Sequence, residues 1–168
     1  MTRKEASMRS IVLARIDDRL IHGQVVTAWC KTTGANAIVI ADDEVARDEF
    51  SQRLLKACAP PGMTMHTLTL SDASSYLRNT GEGDERIILL TKTPGVMEYL
   101  LEEGVSIDRI ILGGMGMKAG RKRFNKNVSA SEEEISSMKR IVSRGVDIDY
   151  QMVPKERPVN VKKLLSKI

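Results

Sequence analysis

Short apolar runs rich in β-branched residues recur along the chain, and longer stretches with apolar residues three and four positions apart lie between them. Runs of the first kind are typical of buried strands, and stretches of the second kind are typical of helices that cover a sheet. Six strands are predicted, over residues 11–14, 37–41, 63–70, 86–91, 107–112 and 146–153. Strand and helix therefore alternate along the chain.

Four helices are predicted from apolar residues that share one helical face. These residues are Val25, Val26, Trp29 and Cys30; Phe50, Leu54, Leu55 and Cys58; Val96, Met97, Leu100 and Leu101; and Ile135, Met138, Ile141 and Val142. Ser131 with Glu134 three residues later predicts a capping box at a helix start. Thr93 followed by Pro94 predicts another helix start. Helix ends are marked by Gly34, Gly104 and Gly145.

Alternating elements with near-continuously apolar strands predict an α/β fold, a single domain with a mostly parallel open sheet and helices on both faces. A length of 168 residues fits one domain, and no repeat, low-complexity tract or linker divides the chain. Residues 1–7 form a polar N-terminal extension that we expect to be disordered, so the domain is assigned to residues 8–168. No apolar run approaches the roughly 20 residues of a membrane helix.

Composition narrows the class of protein further. Hydrophobic residues make up 42% and charged residues 29%, as in a globular rather than a disordered chain. The polar start of the sequence has no signal-peptide pattern, so we expect the cytosol. Cys30 and Cys58 lie in apolar-periodic segments and are expected to be reduced core residues, without a zinc-site pattern. The net charge of +4 favours anionic partners without naming one.

The ten residues after the first predicted strand hold the densest ionisable chemistry of the chain, namely Arg15, Asp17, Asp18, Arg19 and His22. Sites in an open parallel sheet lie at the carboxyl ends of strands, which is where this loop is predicted. A neutral imidazole is a nucleophile near pH 7 and can take a phosphoryl group. Arg15 and Arg19 could donate to phosphoryl oxygens, and Asp17 or Asp18 could hold the loop and fix the imidazole tautomer. His22 is predicted at or just before a helix N-terminus, where free amides favour anions. The alternative is a solvated, salt-bridged turn with a packing histidine.

Two further places carry weaker signals. Lys92 and Thr93 follow the fourth predicted strand and could help to bind a phosphoryl group, although a plain helix cap explains the same residues. His66 lies in an alternating run, so we expect it to face solvent or a partner and exclude it from the catalytic set.

The segment 118–126 carries five basic residues and no acidic one. A basic segment beside an aromatic residue could bind nucleic acid, but this one is short and has Phe124 as its only aromatic residue, so other interpretations are favoured. We expect this segment to be a solvated loop or to dock a partner through charge. The glycine-rich run at residues 113–117 is interpreted as a turn, with no assigned site role.

The string Arg-Ile-Asp-Asp-Arg-Leu-Ile-His-Gly-Gln-Val at residues 15–25 closely resembles the signature of the enzyme IIB component of the mannose/fructose/sorbose family of the bacterial sugar phosphotransferase system. The resemblance continues through other stretches and covers nearly all of the chain from Met8 onward. Those stretches are residues 41–43, 91–94, 112–115, 128–135 and 151–154.

This resemblance implies a phosphotransferase that accepts a phosphoryl group on His22 from a phosphorylated IIA partner. It then passes the group to a sugar that is reached only through the membrane components IIC and IID. It also implies a cytoplasmic carrier held at the inner face of the membrane by IIC and IID, with a mostly parallel α/β fold and no metal or organic cofactor.

The sequence leaves the sugar open, and it leaves a homodimer open because apolar helix faces serve a core and an interface equally well. A second hypothesis also remains, in which the chain is a regulatory or nucleic-acid-binding α/β module whose charged loop is structural. Acid-labile phosphate on His22 discriminates between the two.

Overall fold

The computed structural model describes residues 9–79 and 83–168, and the extension expected over residues 1–7 lies outside them. The strands are β1 (Ser10–Asp17), β2 (Ala37–Ala41), β3 (Thr64–Leu68), β4 (Arg86–Thr91), β5 (Arg109–Gly114), β6 (Lys122–Asn125), β7 (Val128–Ala130), β8 (Asp147–Tyr150) and β9 (Val159–Asn160). The helices are α1 (Gly23–Thr33), α2 (Asp43–Ala46), α3 (Glu49–Cys58), α4 (Leu70–Arg78), α5 (Pro94–Glu102), α6 (Glu132–Ser143) and α7 (Val161–Leu165).

Seven of these strands form one sheet in the order β3-β2-β4-β1-β5-β8-β9. All neighbouring pairs in it are parallel except the last, since β9 runs antiparallel to β8. Strands β6 and β7 form a separate antiparallel hairpin. The predicted class, a mostly parallel open α/β sheet, is confirmed. Among the described helices, none is both long enough and apolar enough to cross a membrane.

Each face of the sheet has its own apolar layer, because strand side chains alternate between faces. In β4, Ile87 and Leu89 pack in one layer, whereas Ile88 and Leu90 pack in the other. The first layer is covered by α4, α5, α6 and α7, and the second is covered chiefly by α1, with contributions from α2 and α3. Helices on both faces are therefore confirmed.

The first strand is longer than predicted, and this changes where two charged residues lie. The prediction ended it at residue 14 and placed Arg15 and Asp17 in the following loop. In the structure β1 continues to Asp17, with Ile16 paired to Thr91 of β4 and Leu112 of β5. The side chains of Arg15 and Asp17 are each only 1% exposed. The loop assignment was wrong because the two charges compensate each other inside the sheet.

Other boundaries also differ from the prediction. The strand predicted over residues 63–70 stops at Leu68, and α4 begins at Leu70 because Thr69 caps it by accepting the amide of Asp72. Strand β5 is shifted two residues toward the C-terminus of its predicted range, and β8 is half as long as predicted. Helices α2, α4 and α7, the β6–β7 hairpin and β9 were not predicted.

The apolar face predicted for α3 is largely solvent-exposed. Phe50 is 67% and Leu54 is 53% exposed, and only Leu55 packs against the core from this face. Cys58 is exposed and Cys30 is half-buried, so the expectation that both are core residues is wrong. The physical reason is position: β3 is the outermost strand, and α3 has no neighbouring element on its far side to cover a second row of apolar residues.

The structure confirms predicted signals for helix starts and for helix ends. The Ser131 hydroxyl accepts the amide of Glu134, and the Glu134 carboxylate accepts the amide of Ser131, which completes the capping box. Gly34 ends α1 with a left-handed φ of 68°, a conformation that glycine adopts without strain. Thr93 does precede α5, with Pro94 at its first position, but its hydroxyl caps no amide.

Candidate functional site

The β1–α1 loop, residues 18–22, leaves the carboxyl edge of the sheet between β4 and β5. The loop is tightly folded, since Leu20 N donates to Asp17 O at 2.9 Å and Asp18 N donates to Gly114 O at 3.0 Å. Leu20 has a φ of +58°, which costs roughly 1–2 kcal/mol for a residue other than glycine. Burial of Leu20 and Ile21 in the α1-side layer offsets that strain. Tertiary packing therefore fixes the loop.

His22 is the N-cap residue of α1, as predicted. Its backbone is extended, with φ −113° and ψ 96°, and its carbonyl accepts the first helical bond from Val26 N at 3.1 Å. The imidazole is exposed and makes no hydrogen bond within residues 9–79 and 83–168. Amides in the first turn of a helix have no intrahelical acceptor and attract anions. A nucleophilic side chain and an anion-binding backbone therefore occupy the same place.

Asp17 fixes the two predicted arginines. Its Oδ1 accepts the backbone amide and Nε of Arg19, both at 3.0 Å, and its Oδ2 accepts Arg19 Nη2 at 2.9 Å and Arg15 Nη2 at 3.4 Å. These bonds to Asp17 raise the pKa of Arg19. Burial lowers the pKa of Arg15, while Asp17 opposes that shift. The buried carboxylate thus holds both guanidinium groups in one arrangement.

Arg15 lies beneath the site rather than on its surface. Its Nη1 donates to the carbonyl oxygen of Gln151 at 2.9 Å, its Nη2 lies 3.7 Å from Met152 Sδ, and its Cζ is 5.8 Å from the centre of the Trp29 ring. A Cβ on Gly113 would lie 2.1 Å from Arg15 Nη2, so the guanidinium fills the space that glycine leaves. The prediction that Arg15 points to a phosphoryl group therefore does not fit its burial.

Arg19 is the arginine that reaches solvent, with 42% of its side chain exposed. Asp17 holds one edge of its guanidinium, and Met152 Sδ lies 3.8 Å from Nη2. Nη1 has no hydrogen-bond partner in the described part of the chain. A cleft of about 230 Å³ opens beside it, lined in part by Asp18, Gly114 and Met152. Arg19 therefore has a guanidinium that Asp17 holds at Nε and Nη2 and whose Nη1 is available to a ligand.

Asp18 contacts residues that precede the β6–β7 hairpin. Its Oδ2 accepts Gly116 N at 2.7 Å and Arg121 Nη1 at 3.3 Å. Neither Asp17 nor Asp18 contacts the imidazole in the described structure, so the hypothesis that one of them fixes its tautomer is not supported. Both aspartates hold the loop instead.

Lys92 and Thr93 lie at the same edge of the sheet as the β1–α1 loop, because Thr91 pairs with Ile16. Lys92 Nζ is 3.4 Å from Asp42 Oδ2, an ion pair on the β2 side of β4 and thus away from β1. The structure brings these two predicted residues to the edge where the loop begins, and among the described residues neither side chain forms a hydrogen bond or an ion pair with the loop.

A groove of about 1040 Å³ opens beside His22, between α1 and residues 153–155. Lys31 and Lys155 lie along it. His22 lies at the border of this groove. Among the residues that the structure describes, no three His, Cys, Asp or Glu side chains form a group that could hold a metal ion.

His66 is engaged within the chain instead of facing a partner. Its Nε2 lies 2.8 Å from Glu85 Oε2 and 3.1 Å from the Tyr76 hydroxyl, which itself donates to Glu85. Arg9 stacks over the Tyr76 ring and pairs with Glu85. The expectation that His66 points to solvent or a partner is therefore wrong, since only 28% of its side chain is exposed.

The basic segment 118–126 is also different from its prediction as a solvated loop. Part of it forms the β6–β7 hairpin, and Arg121 is buried, with 2% of its side chain exposed. Arg121 forms a two-pronged ion pair with Glu134, from Nε at 2.8 Å and from Nη2 at 2.7 Å. Four of the five cations remain on the surface: Lys118, Lys122, Arg123 and Lys126.

Several site residues were missed from the sequence. Gly113 and Gly114 were interpreted as a turn, but they end β5 and give room to Arg15 and Arg19. Met152 contacts both guanidiniums, and its carbonyl accepts Trp29 Nε1 at 3.0 Å. Two adjacent glycines at the predicted end of a strand were the only available signal for this packing.

Comparison with known proteins places the chain in a family. Residues 11–168 match the family model described as the PTS system sorbose subfamily IIB component. The sorbose-specific EIIB component of Klebsiella pneumoniae is 37% identical over 151 residues, which are 90% of this chain and 92% of that protein. The mannose-specific EIIAB component of Escherichia coli (strain K12) is 39% identical over 158 residues, 94% of this chain. The chain spans about half the length of that mannose-specific protein, since the match covers 49% of it.

Solved structures agree with this relationship. The crystal structure of the IIB domain of the Klebsiella pneumoniae sorbose permease matches with a TM-score of 0.89 and 35% identity, over 94% of this chain and 97% of that one. The crystal structure of an N-acetylgalactosamine-specific IIB component 1 from Escherichia coli matches with a TM-score of 0.84 and 31% identity, over 89% and 97%. From the family match, the sequence relatives and the shared fold together, the chain belongs to the sorbose-subfamily IIB components of the phosphotransferase system.

Proposed function

We propose that this protein is a histidine phosphocarrier, which accepts a phosphoryl group on His22 from a phosphorylated IIA partner and transfers it to a sugar during uptake. One observation carries the proposal: at the N-cap position of α1 stands an exposed imidazole that makes no hydrogen bond among the described residues, three residues from a guanidinium held by a buried carboxylate. A general role in sugar uptake by the phosphotransferase system follows from the family.

The first transfer is an attack of a neutral imidazole nitrogen of His22 on the phosphorus of the donor's phosphohistidine. A new N–P bond forms, and the bond between phosphorus and the donor nitrogen breaks, which leaves the electron pair on the donor imidazole. In the second transfer a sugar hydroxyl oxygen attacks the phosphorus and forms a new O–P bond. The bond between phosphorus and His22 breaks with its electron pair left on the imidazole nitrogen, which can take up the hydroxyl proton. The first step requires the neutral form of the imidazole, because only an unprotonated nitrogen has the lone pair that attacks phosphorus.

The phosphoryl oxygens carry negative charge throughout such a transfer. Positioning of the reactants and electrostatic stabilisation of that charge therefore do most of the catalysis. Arg19 supplies the free Nη1 of a guanidinium that Asp17 has already oriented. The first-turn amides of α1, beginning at Gly23, supply further donors. No rearrangement of the loop is needed to form this set, because Asp17 and the packing of Leu20 hold it in advance.

We assign Arg15 and Asp17 to the support of this arrangement, because both are buried and contact Arg19 or its carboxylate partner. Arg15 Nη2 also donates to Asp17 Oδ2, at 3.4 Å. A role for Lys92 and Thr93 in holding the phosphoryl group stays a prediction. It is supported by their place at the same sheet edge and tested by single alanine variants.

The partners in this proposal are a phosphorylated IIA protein or domain and the membrane components IIC and IID. The groove beside His22 gives a partner a concave surface at the reactive side chain, with Lys31 and Lys155 for acidic groups. The protein would work in the cytoplasm, at the inner face of the membrane through IIC and IID. Relatives are named for sorbose, mannose or fructose, and the sugar of this chain stays open.

Incubation with phosphorylated IIA, followed by intact-mass measurement, tests the proposal. The wild-type protein should gain one phosphoryl group that is lost in acid, and His22→Ala should gain none because the nucleophile is gone. His66→Ala is the matched control, since it removes the other histidine of the sequence, and it should be phosphorylated like the wild type. Phosphorylation of His22→Ala at the wild-type level would refute the assignment.

A further inference from the structure

Arg121 is a buried cation that the proposed transfer does not use directly. Its guanidinium donates four hydrogen bonds, which run in two directions. Nε and Nη2 meet the Glu134 carboxylate at 2.8 and 2.7 Å, whereas Nη1 meets Gly116 O at 2.8 Å and Asp18 Oδ2 at 3.3 Å. Only 2% of its side chain is exposed, so Arg121 cannot serve as a surface charge for a docking partner.

In the first direction, Nε and Nη2 attach Arg121 to helix α6. Glu134 belongs to the capping box of α6, where it also accepts the amide of Ser131 at 2.9 Å. Helix α6 has twelve residues and buries Met138 and Ile141 completely. The pKa of Glu134 is affected by burial, which raises it, but the bonds from Arg121 and Ser131 outweigh burial and the net shift is downward. Glu134 is thus a fixed carboxylate on a well-packed helix.

In the second direction, Nη1 attaches Arg121 to the β1–α1 loop. Asp18 is its first residue, and its Oδ2 is held jointly by Arg121 and by Gly116 N at 2.7 Å. The next residue, Arg19, carries the exposed guanidinium, and Leu20 has a left-handed backbone that needs tertiary support. A shift at Asp18 would therefore move Arg19 and the approach to His22.

We propose that Arg121 is a positioning residue for phosphoryl transfer. It links Asp18 to the N-terminus of α6, so that the β1–α1 loop holds Arg19 and His22 in a constant position relative to each other. It acts through Asp18 and does not touch the phosphoryl group. This inference rests on the proposed function of His22. Its second support is spatial, since Arg121 and Asp18 are 103 residues apart and Gly116 also joins them, by donating to Asp18 and accepting from Arg121.

The kinetic test separates positioning from docking. Single-turnover transfer from phosphorylated IIA is measured at increasing donor concentration for wild type, Asp18→Asn, Arg121→Lys and Arg121→Met. We expect Arg121→Met to lower the saturated rate by about 10-fold to 100-fold, because small misplacements have effects of that size, with little change in half-saturation. Arg121→Lys should recover part of the rate, since one ammonium cannot bridge two acceptors as a planar guanidinium does.

Arg123→Met is the matched control, because Arg123 is an exposed cation only two residues along the chain, in β6. Its saturated rate should equal that of the wild type. Asp18→Asn guards against loss of folding, since it leaves the ion pair of Arg121 with Glu134 intact. It should melt like the wild type and still slow the saturated transfer.

A double-variant cycle then tests whether Arg121 acts through Asp18. If it does, Asp18→Asn with Arg121→Met should transfer no more slowly than the slower single variant, because both remove one link. Losses that multiply in the double variant would overturn the proposal, as would a wild-type saturated rate in Asp18→Asn. Failure of the wild-type protein itself to take up phosphate would instead refute the function of His22, so the two failures are distinguishable.

Discussion

Gly113→Ala should strongly destabilise the protein through Arg15, although alanine fits the backbone at this position, where φ is not left-handed. The new Cβ would lie 2.1 Å from Arg15 Nη2, 2.3 Å from Cζ and 2.8 Å from Nε. An ordinary contact needs at least 3.4 Å, so the guanidinium has to move by about 1.3 Å. A surface arginine would swing aside at little cost. Arg15 is 1% exposed and held at both Nη atoms, so its movement must break the bond to Gln151 O or the pairing with Asp17.

The size of the effect follows from those two contributions. Overpacking a core costs about 1–3 kcal/mol, and a lost hydrogen bond of a buried group costs about 1–3 kcal/mol. Together they give a loss of about 2–6 kcal/mol in the free energy of unfolding. For a chain of this length, that loss lowers the melting temperature by roughly 5–20 °C.

Urea and thermal unfolding of Gly113→Ala, with circular dichroism as the readout, measure this change. Gly95→Ala is the matched control, because its Cβ meets only Thr93 Oγ1 at 3.8 Å and lies within α5. It should be neutral or stabilised by up to about 1 kcal/mol through helix propensity. An unchanged melting temperature for Gly113→Ala would refute the reasoning that Arg15 is immobile in its buried position.

Three further outcomes are expected. Arg19→Ala should raise the barrier to transfer by about 3 kcal/mol in single-turnover assays, with partial recovery in Arg19→Lys; a normal rate would remove this guanidinium from the mechanism. Neutralising Lys122 and Arg123 together should slow salt-sensitive association with the partner and leave the saturated rate unchanged, whereas a tenfold drop in that rate, about 1.4 kcal/mol, would show that the hairpin reaches the chemistry. Bonds from Arg140 lower the pKa of Glu98, so this pair stabilises the fold above the ordinary glutamate pKa of about 4.3 and the contribution is lost as pH falls through the lowered value. Glu98→Gln should therefore lose less stability than the wild type on acidification, measured by urea unfolding; equal losses would contradict the pairing.

Some of the site was predictable because its signals are local. The position of His22 at the start of α1 follows from a strand, a short polar stretch and an apolar helical face in sequence. The capping box of Ser131 and Glu134 is likewise a contact between residues three apart. Each of these features depends on neighbouring backbone groups, which the sequence order brings together without help from the rest of the fold.

The buried charges were not predictable in the same way. Arg15 and Asp17 have the residue types of a solvated turn, and they enter β1 only because each finds a partner there and Gln151 supplies a carbonyl oxygen 136 positions away. Arg121 lies in a segment that suggests a docking surface, yet Asp18 and Glu134 enclose it. A charge is tolerated inside a protein only when opposite charges and hydrogen bonds compensate it.

The sequence by itself therefore determined the α/β class, the alternation of elements and the place of the candidate nucleophile, because periodicity and capping act over a few residues. Only the tertiary structure decided which charged groups are buried, which apolar residues of α3 stay exposed, and which arginine of the β1–α1 region reaches solvent. Those outcomes depend on contacts between residues far apart in the chain, and on whether a neighbouring element covers a given face. Such contacts, and the free energy that they contribute to folding, form only when the sheet assembles.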